Sequence, residues 1–435
     1  MALRGSRRAI SSFSMATWEH AEQANGLLNL AIGQPALSLL PSAALDRANG
    51  RLTRNFDARY LLQYGSLAGF SHYLRAVADF ICTETGLPVD PACLFATPGN
   101  SGGLALVTRM LTKPGDTVLM EDPSYFLAHQ IFRDYGVKLH PMAQHADGAG
   151  TVDVARVEKH LLDLTATGAP MPKLLYLVPT GNNPTGNTMP DGDRAKLVSL
   201  CAAHGIVIVA DDVYELLQFS REGAPKPMRW HAANLNASAT VISLGSWSKL
   251  LGPGLRLGWL EADEALVQAL AKDGEVDSGS LTSPLVETIV TEMITSGDAK
   301  IHVDALRKKL SHRATLLADA INAEQPAGSG ELVRPAPAGY FLWVDLKGVD
   351  AHTLRERCMA SHGVSFLPGA RCALDSGVGM SFARVSFAFL EEEDLVEAGR
   401  RLGRAIAEER ATASGTKRKM SGGQSSAGQI ITGEY

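Results

Sequence analysis

Four polar side chains follow directly after apolar stretches that are typical of buried strands. These side chains are Tyr125, Asn183, Asp211 and Lys249. In an open α/β sheet, ligands bind outside the carboxyl ends of the parallel strands. The sequence therefore predicts that the four side chains meet at one site.

Lys249 is the member of this group with the most distinctive chemistry. Burial at a strand end disfavours its charge and lowers its pKa, and a neutral amine can form a Schiff base with an aldehyde. Ser246, Ser248 and Arg256 flank it. Their hydroxyls and guanidinium suit a phosphate. The alternative is a surface lysine in a glycine-rich loop, and Lys249 by itself does not decide between the two.

Asp211 and Tyr214 supply a second pattern. A buried carboxylate is costly without a partner, and a pyridinium nitrogen is a partner that pyridoxal phosphate enzymes use. Tyr214 lies three residues further on, where its hydroxyl could donate to an oxygen on the same ring. The alternative is an aspartate that caps a helix, which is common.

The loop 97–103 opens an amphipathic stretch, and backbone N–H groups at such a helix start bind anions. Asn100, Ser101 and Gly102 are the candidate residues. The same loop matches GxSxG, which would make Ser101 the nucleophile of an α/β-hydrolase. The sequence lacks the HGGG segment and the strand-end histidine that such a hydrolase needs. The Ser246–Lys249 match to SxxK likewise lacks its companion motifs.

The wider pattern is that of an α/β protein. Short β-branched runs at 117–120, 174–178, 206–210 and 241–244 alternate with helical stretches, which predicts a mostly parallel sheet. A long helical segment, 283–322, leads to strands near 339–344 and 382–388 and helices near 354–362 and 391–408. We expect an N-terminal arm (1–28), a large domain (29–285), a smaller α+β domain (286–410) and a disordered tail (411–435).

Composition narrows the function classes. The chain has 435 residues and a net charge of −5, so no basic field indicates nucleic acid. No apolar run approaches the ~20 residues that span a bilayer. Five scattered cysteines and no metal-ligand spacing give no sign of disulfides or a metal. The cytoplasm is the expected compartment. Arg4, Arg7 and Arg8 form a basic N-terminus that is typical both of a mitochondrial transit peptide and of a solvated end.

Taken in order, the motifs resemble those of the class I/II aminotransferases, pyridoxal 5'-phosphate (PLP) enzymes of fold type I. The α-aminoadipate aminotransferase and MocR-like branch is the nearest. The segments that carry the resemblance are 31–35 (AIGQP), 63–69 (QYGSLAG), 121–125 (EDPSY), 183–186 (NPTG), 211–214 (DDVY), 246–256 (SWSKLLGPGLR), 338–343 (AGYFLW), 364–369 (VSFLPG) and 383–387 (ARVSF).

The resemblance implies a role for each matching residue. Lys249 would carry PLP as a Schiff base and move the proton, with Asp211 at the ring nitrogen. Tyr214 and Asn183 would bind the ring oxygen, and Tyr125 would stack on the ring. The phosphate would be held by Asn100, Ser101, Gly102, Ser246, Ser248 and Arg256, and by Tyr64 of the neighbouring subunit. The substrate carboxylate would be bound by Gly33, Asn183 and Arg384.

The implied function is transfer of an amino group between an L-amino acid and a 2-keto acid by a homodimer, with ping-pong half-reactions. Two alternatives stay open because a fold does not fix a reaction. One is a PLP-dependent lyase or ACC-synthase-like enzyme. The other is a PLP-binding regulatory protein without catalysis.

Overall fold

A computed structural model describes residues 26–142, 144–145, 151–374 and 377–422, with side chains through 412. The strands are β1 (Leu28–Asn29), β2 (Leu94–Thr97), β3 (Thr117–Glu121), β4 (Lys138–Met142), β5 (Leu174–Leu177), β6 (Val207–Asp211), β7 (Val241–Ser246), β8 (Gly258–Glu261), β9 (Phe341–Asp345), β10 (Val364–Ser365), β11 (Leu367–Pro368) and β12 (Phe382–Ser386).

The helices lie between and around these strands. They are α1 (Ser42–Asn55), α2 (Ala58–Leu61), α3 (Ser71–Thr85), α4 (Gly99–Leu111), α5 (Phe126–Asp134), α6 (Val154–Thr167), α7 (Asp191–His204), α8 (Met228–Asn234), α9 (Glu264–Leu270), α10 (Gly274–Asp277), α11 (Pro284–Thr295), α12 (Asp298–Ala323), α13 (Ala351–Arg357) and α14 (Glu392–Gly422). A π-helical turn, Cys358–His362, follows α13. Within the described residues, no helix is long and apolar enough to cross a membrane.

The central sheet has the strand order β2-β8-β7-β6-β5-β3-β4 among the described residues. The pairs from β7 through β4 are parallel, and β8 runs antiparallel to both of its neighbours. Strands β5 and β7 are buried along their whole length because helices cover both faces of the sheet. The predicted α/β fold with a mostly parallel sheet is confirmed.

A smaller sheet is built from the C-terminal part of the chain. Strands β11, β12 and β9 form an antiparallel sheet in that order, and helix α12 packs along α14. The N-terminal segment also joins this part, because Leu28 and Asn29 pair in parallel with Val364 and Ser365. This pairing anchors the segment that leads to Gly33.

The structure differs from the sequence prediction at the helical segment 283–322 and at the start of the C-terminal tail. The segment 283–322 is two helices rather than one, because Gly297 adopts a left-handed φ of +81° between α11 and α12. Helix α14 continues past the point where a disordered tail was expected to begin. Its residue Arg410 donates to the Gln325 side chain at 3.2 Å, which ties this part of the helix to the domain. Residues 423–435 lie outside the described residues.

Candidate active site

Lys249 lies just after β7, and its amine sits in a partly buried pocket. Its Nζ donates to the Gly33 carbonyl oxygen at 2.6 Å and lies 5.1 Å from the centre of the Tyr340 ring. Burial lowers the pKa of this amine to about 8, and the positive charge of Arg384 acts in the same direction. The amine therefore loses its proton at a lower pH than an ordinary lysine, and the neutral form is the nucleophile toward an aldehyde.

Asp211 ends β6 and is buried at the same end of the sheet. Its Oδ2 accepts a hydrogen bond from the Tyr176 hydroxyl at 2.7 Å, and its Oδ1 accepts one from the Asn100 side-chain amide. Burial raises the pKa of Asp211, while these two donors and the nearby positive charge of Lys249 lower it. The carboxylate is thus held in place from two sides.

The start of α4 is suited to bind an anion. Its N-cap, Pro98, makes no side-chain cap bond, so the first N–H groups of the helix are free for a ligand. The guanidinium of Arg256 lies above this helix start, since a Cβ on Gly99 would come within 3.2 Å of Nη2 of Arg256. In the described part of the chain, Arg256 makes no ion pair with a carboxylate. The Ser246 hydroxyl accepts from the Ser248 backbone N–H at 3.1 Å.

The side chain of Asn100 turns away from the start of α4, so the expected contact with a phosphate would come from its backbone. Its side-chain amide donates to Asp211 and, at 3.1 Å, to the carbonyl oxygen of Leu244. Both amide hydrogens therefore point to the end of the sheet, and this side chain does not face the start of α4. Only the Asn100 backbone, on the first turn of α4, is left to contribute there.

Arg384 is a buried cation without an anionic partner among the described residues. Its Nη1 donates to the Asn183 side-chain oxygen at 2.9 Å and its Nη2 to the Ala31 carbonyl at 2.7 Å, while Nε is buried and unpaired. The guanidinium lies 4.2 Å from the centre of the Phe341 ring. An unpaired N–H on a buried guanidinium is costly, and a substrate carboxylate would satisfy it.

Aromatic side chains form the walls. Tyr125 is the N-cap residue of α5. Burial raises the pKa of its hydroxyl, and the nearby Ser101 side chain and Arg384 act in the opposite direction. Tyr214 is buried, with its ring 5.6 Å from that of Tyr340 and edge-on to Phe341 at 6.5 Å. In the described part of the chain, Ser101 makes no hydrogen bond with a histidine, so the geometry gives no support to the hydrolase interpretation.

Tyr64 is placed apart from these groups. It is 82% exposed, and its ring lies against Gly279 on the surface of the chain. A role at the phosphate therefore requires a second copy of the chain, as the family resemblance implies.

Sequence reasoning missed three residues that the structure brings to the site. Tyr176 binds Asp211, Tyr340 donates from its hydroxyl to the Lys249 carbonyl at 2.8 Å, and Phe341 lies beside Arg384. Tyr176 did leave a signal, since it is the one polar side chain in the apolar run 174–178. Tyr340 and Phe341 belong to the AGYFLW segment but left no sign of their partners.

Comparisons with known proteins identify the family of the chain. Residues 25–402 match the family "Aminotransferase class I and II". The 2-aminoadipate transaminase of Thermus thermophilus is 31% identical over 88% of this chain and 91% of its own. Aromatic-amino-acid aminotransferase 1 of Thermococcus litoralis is 27% identical over 89% of each chain. The structure of Pyrococcus horikoshii kynurenine aminotransferase, in complex with PMP, superposes with a TM-score of 0.80 at 26% identity, covering 93% of this chain and 97% of the other.

The groups left open in the site fit the cofactor of this family. The uncapped helix start with Arg256 suits its phosphate, the amine of Lys249 its aldehyde, and the buried carboxylate of Asp211 its ring nitrogen. The cofactor is pyridoxal 5'-phosphate, the reaction is transamination, and the chain belongs to the class I and II aminotransferases.

Proposed function

We propose that Lys249, Asp211 and Arg384, which lie at one end of the sheet, each have a different task in transamination. Lys249 anchors the cofactor and moves the proton, Asp211 pairs with the ring nitrogen, and Arg384 binds the substrate carboxylate. The observation that carries this proposal is the partly buried, weakly basic amine of Lys249 between a buried carboxylate and a buried guanidinium that lacks an anion.

When bound, pyridoxal phosphate supplies an aldehyde that takes up the amino group and a ring that accepts electron density from the substrate Cα. The phosphate would lie at the start of α4, held by the backbone of Asn100, Ser101 and Gly102. Ser246, Ser248 and Arg256 would add hydroxyl donors and positive charge. These contacts fix the position of the group without taking part in proton transfer.

Lys249 is suited to proton transfer because its pKa of about 8 lies close to neutral pH. At its Nζ, this amine would take up the proton that leaves the substrate Cα and hold it for return. Gly33 and Tyr340 restrict its position through the contacts described above. Tyr214 and Asn183 would donate to the ring oxygen, and Tyr125 would stack on the ring.

Arg384 would fix the orientation of the substrate. Its unpaired Nε and its Nη groups can bind a carboxylate through two parallel hydrogen bonds. Asn183 and the backbone of Gly33 lie beside this position. Amino acids and 2-keto acids both carry this carboxylate, so one site serves both half-reactions in turn. We therefore propose ping-pong kinetics.

A homodimer completes this arrangement. Tyr64 is exposed next to the exposed side chains of Tyr60 and Leu62, and it reaches a phosphate only from a second copy. Mixing a Tyr64→Phe chain with a chain inactivated at Lys249 tests this, because a shared site would be complete in a mixed dimer whose two substitutions lie on different chains. Activity that depends on how the two substitutions are divided between the chains supports a shared site. Activity that equals the sum of the two separate chains contradicts it.

The compartment is a separate proposal. The basic N-terminus with Arg4, Arg7 and Arg8 suits either a mitochondrial transit peptide or a cytoplasmic protein, and these residues lie outside the described part. A fluorescent fusion of residues 1–28 that stays diffuse in the cytosol would exclude the transit peptide.

The central test is where the cofactor attaches. Borohydride reduction of the loaded protein followed by peptide mapping should place the label on Lys249, and Lys249→Ala should abolish turnover with the fold intact. Lys113→Ala, at an exposed lysine, is the matched control and should keep both label and activity. Label on another lysine of the wild-type protein would contradict the assignment.

A further inference from the structure

We infer that Tyr176 and Asn100 are positioning residues for Asp211, which together hold its carboxylate charged and oriented toward the cofactor ring. The inference rests on the proposed role of Asp211. It starts from the fact that each carboxylate oxygen of Asp211 has its own side-chain donor from a different element. Tyr176 comes from β5 and Asn100 from α4.

The register of the sheet places Tyr176 for this task. In the parallel pair β5–β6, Tyr176 lies opposite Val209, two residues before Asp211. Residues two apart in a strand face the same side of a sheet. The hydroxyl of Tyr176 therefore reaches the Asp211 carboxylate along the same face, at 2.7 Å.

The Tyr176 side chain is held in one position, and its hydroxyl acts as a hydrogen-bond donor. It is fully buried, and its ring packs edge-on against Phe132 at 5.6 Å. Burial raises the pKa of this hydroxyl well above its usual value, so the hydroxyl keeps its proton and can donate it. Its proton is directed to Asp211, the hydrogen-bond acceptor found for it in the described part.

The orientation of the Asn100 side-chain amide is fixed as well. Its amide donates one hydrogen to Asp211 and the other to the Leu244 carbonyl, so the nitrogen end must face both acceptors. A protonated carboxyl group would carry its hydrogen on one of the two oxygens, each of which already faces a donor. The arrangement therefore favours the carboxylate form, against the burial that raises the pKa of Asp211.

The first experiment removes one hydroxyl. Tyr176→Phe keeps the ring and its packing on Phe132, and the enzyme is loaded with PLP labelled with ¹⁵N at the pyridine nitrogen. We expect the ¹⁵N resonance to move toward the unprotonated value, and kcat to fall about 10-fold with KM unchanged for both substrates. A structural role alone would not move the ¹⁵N resonance.

Tyr73→Phe is the matched control. Tyr73 is also fully buried, but its hydroxyl donates to the Gly258 carbonyl at 3.0 Å and accepts from Trp247. Its loss should lower stability and leave the ¹⁵N resonance at the wild-type position. An equal ¹⁵N shift in this control would show a general effect of core damage and overturn the inference.

Asn100→Ala is the second variant and separates two roles. We expect it to move the ¹⁵N resonance and leave the ³¹P resonance of the cofactor unchanged. A ³¹P change without a ¹⁵N change would place the side chain at the phosphate and overturn its part. If neither variant moves the ¹⁵N resonance of a normally loaded enzyme, the inference alone is wrong. A wild-type enzyme without cofactor on Lys249 would overturn the proposed function itself.

Discussion

Two arginines are buried in apolar surroundings, but among the described residues only one of them has a carboxylate partner. Arg307, on α12, donates to the Leu216 carbonyl at 2.9 Å and pairs with the buried Glu84 of α3 and with Asp304. Arg384, on β12, has a buried, unpaired Nε and lies over the Phe341 ring. Burial lowers the pKa of Arg384.

The difference separates stability from function. A buried charge with a carboxylate partner holds two elements together, and removal of either partner is costly. A buried charge without one costs stability as long as its ligand is absent. The Arg307 cluster therefore joins α12 to α3, while the role that we propose for Arg384 is to bind an anion from outside the chain.

The largest expected effect is on the Arg307 side. Among the described residues, Arg307→Met leaves the buried Glu84 with Lys300, at 3.3 Å, as its remaining ion-pair partner. We expect the free energy of unfolding to fall by about 3 kcal/mol, with kcat/KM of the folded enzyme unchanged. Chemical denaturation and steady-state kinetics on the same preparation measure both. A variant with normal stability would remove the basis of the comparison.

The second effect is kinetic and falls on Arg384. Arg384→Lys keeps the charge and loses the fork that binds a carboxylate by two bonds. We expect kcat/KM to fall for all amino donors alike, by a factor that corresponds to a loss of about 2 kcal/mol of transition-state stabilisation. Stability and PLP binding should be little changed. Arg307→Lys is the control and should leave kcat/KM unchanged. A loss confined to acidic donors would mean that Arg384 recognises side chains rather than the α-carboxylate.

The smallest effect concerns the pH dependence of cofactor loading. The pKa of Lys249 is lowered to about 8 by burial first and by the charge of Arg384 second. The neutral amine reacts, so the loading rate of the cofactor-free protein should rise with pH and level off above about 8. Arg384→Gln removes a positive charge, which raises the pKa of Lys249 and moves this midpoint to higher pH.

Absorbance measurements of PLP loading across a pH series give the midpoint for each protein. Titration of free PLP is the same in every series and cancels when the variants are compared. Arg307→Gln should keep the wild-type midpoint. A midpoint that does not move in Arg384→Gln would show that the two charges do not interact.

The sequence by itself determined the sheet and the residues at its carboxyl end. Lys249 and Asp211 follow runs of apolar residues that are typical of buried strands, and parallel strands bring their ends together. The ordered motifs around them added Arg256 and Arg384. These inferences need only local patterns, because a buried strand and the residue after it are adjacent in the chain.

The tertiary structure decided which of these residues touch. Tyr176 reaches Asp211 only because β5 lies beside β6 in a particular register, and Asn100 only because α4 starts beside the end of β7. The unpaired Nε of Arg384 depends on every element packed around it. Partners that are 35 to 111 residues apart in the chain leave no local pattern, so hydrogen bonding between them is settled by packing alone.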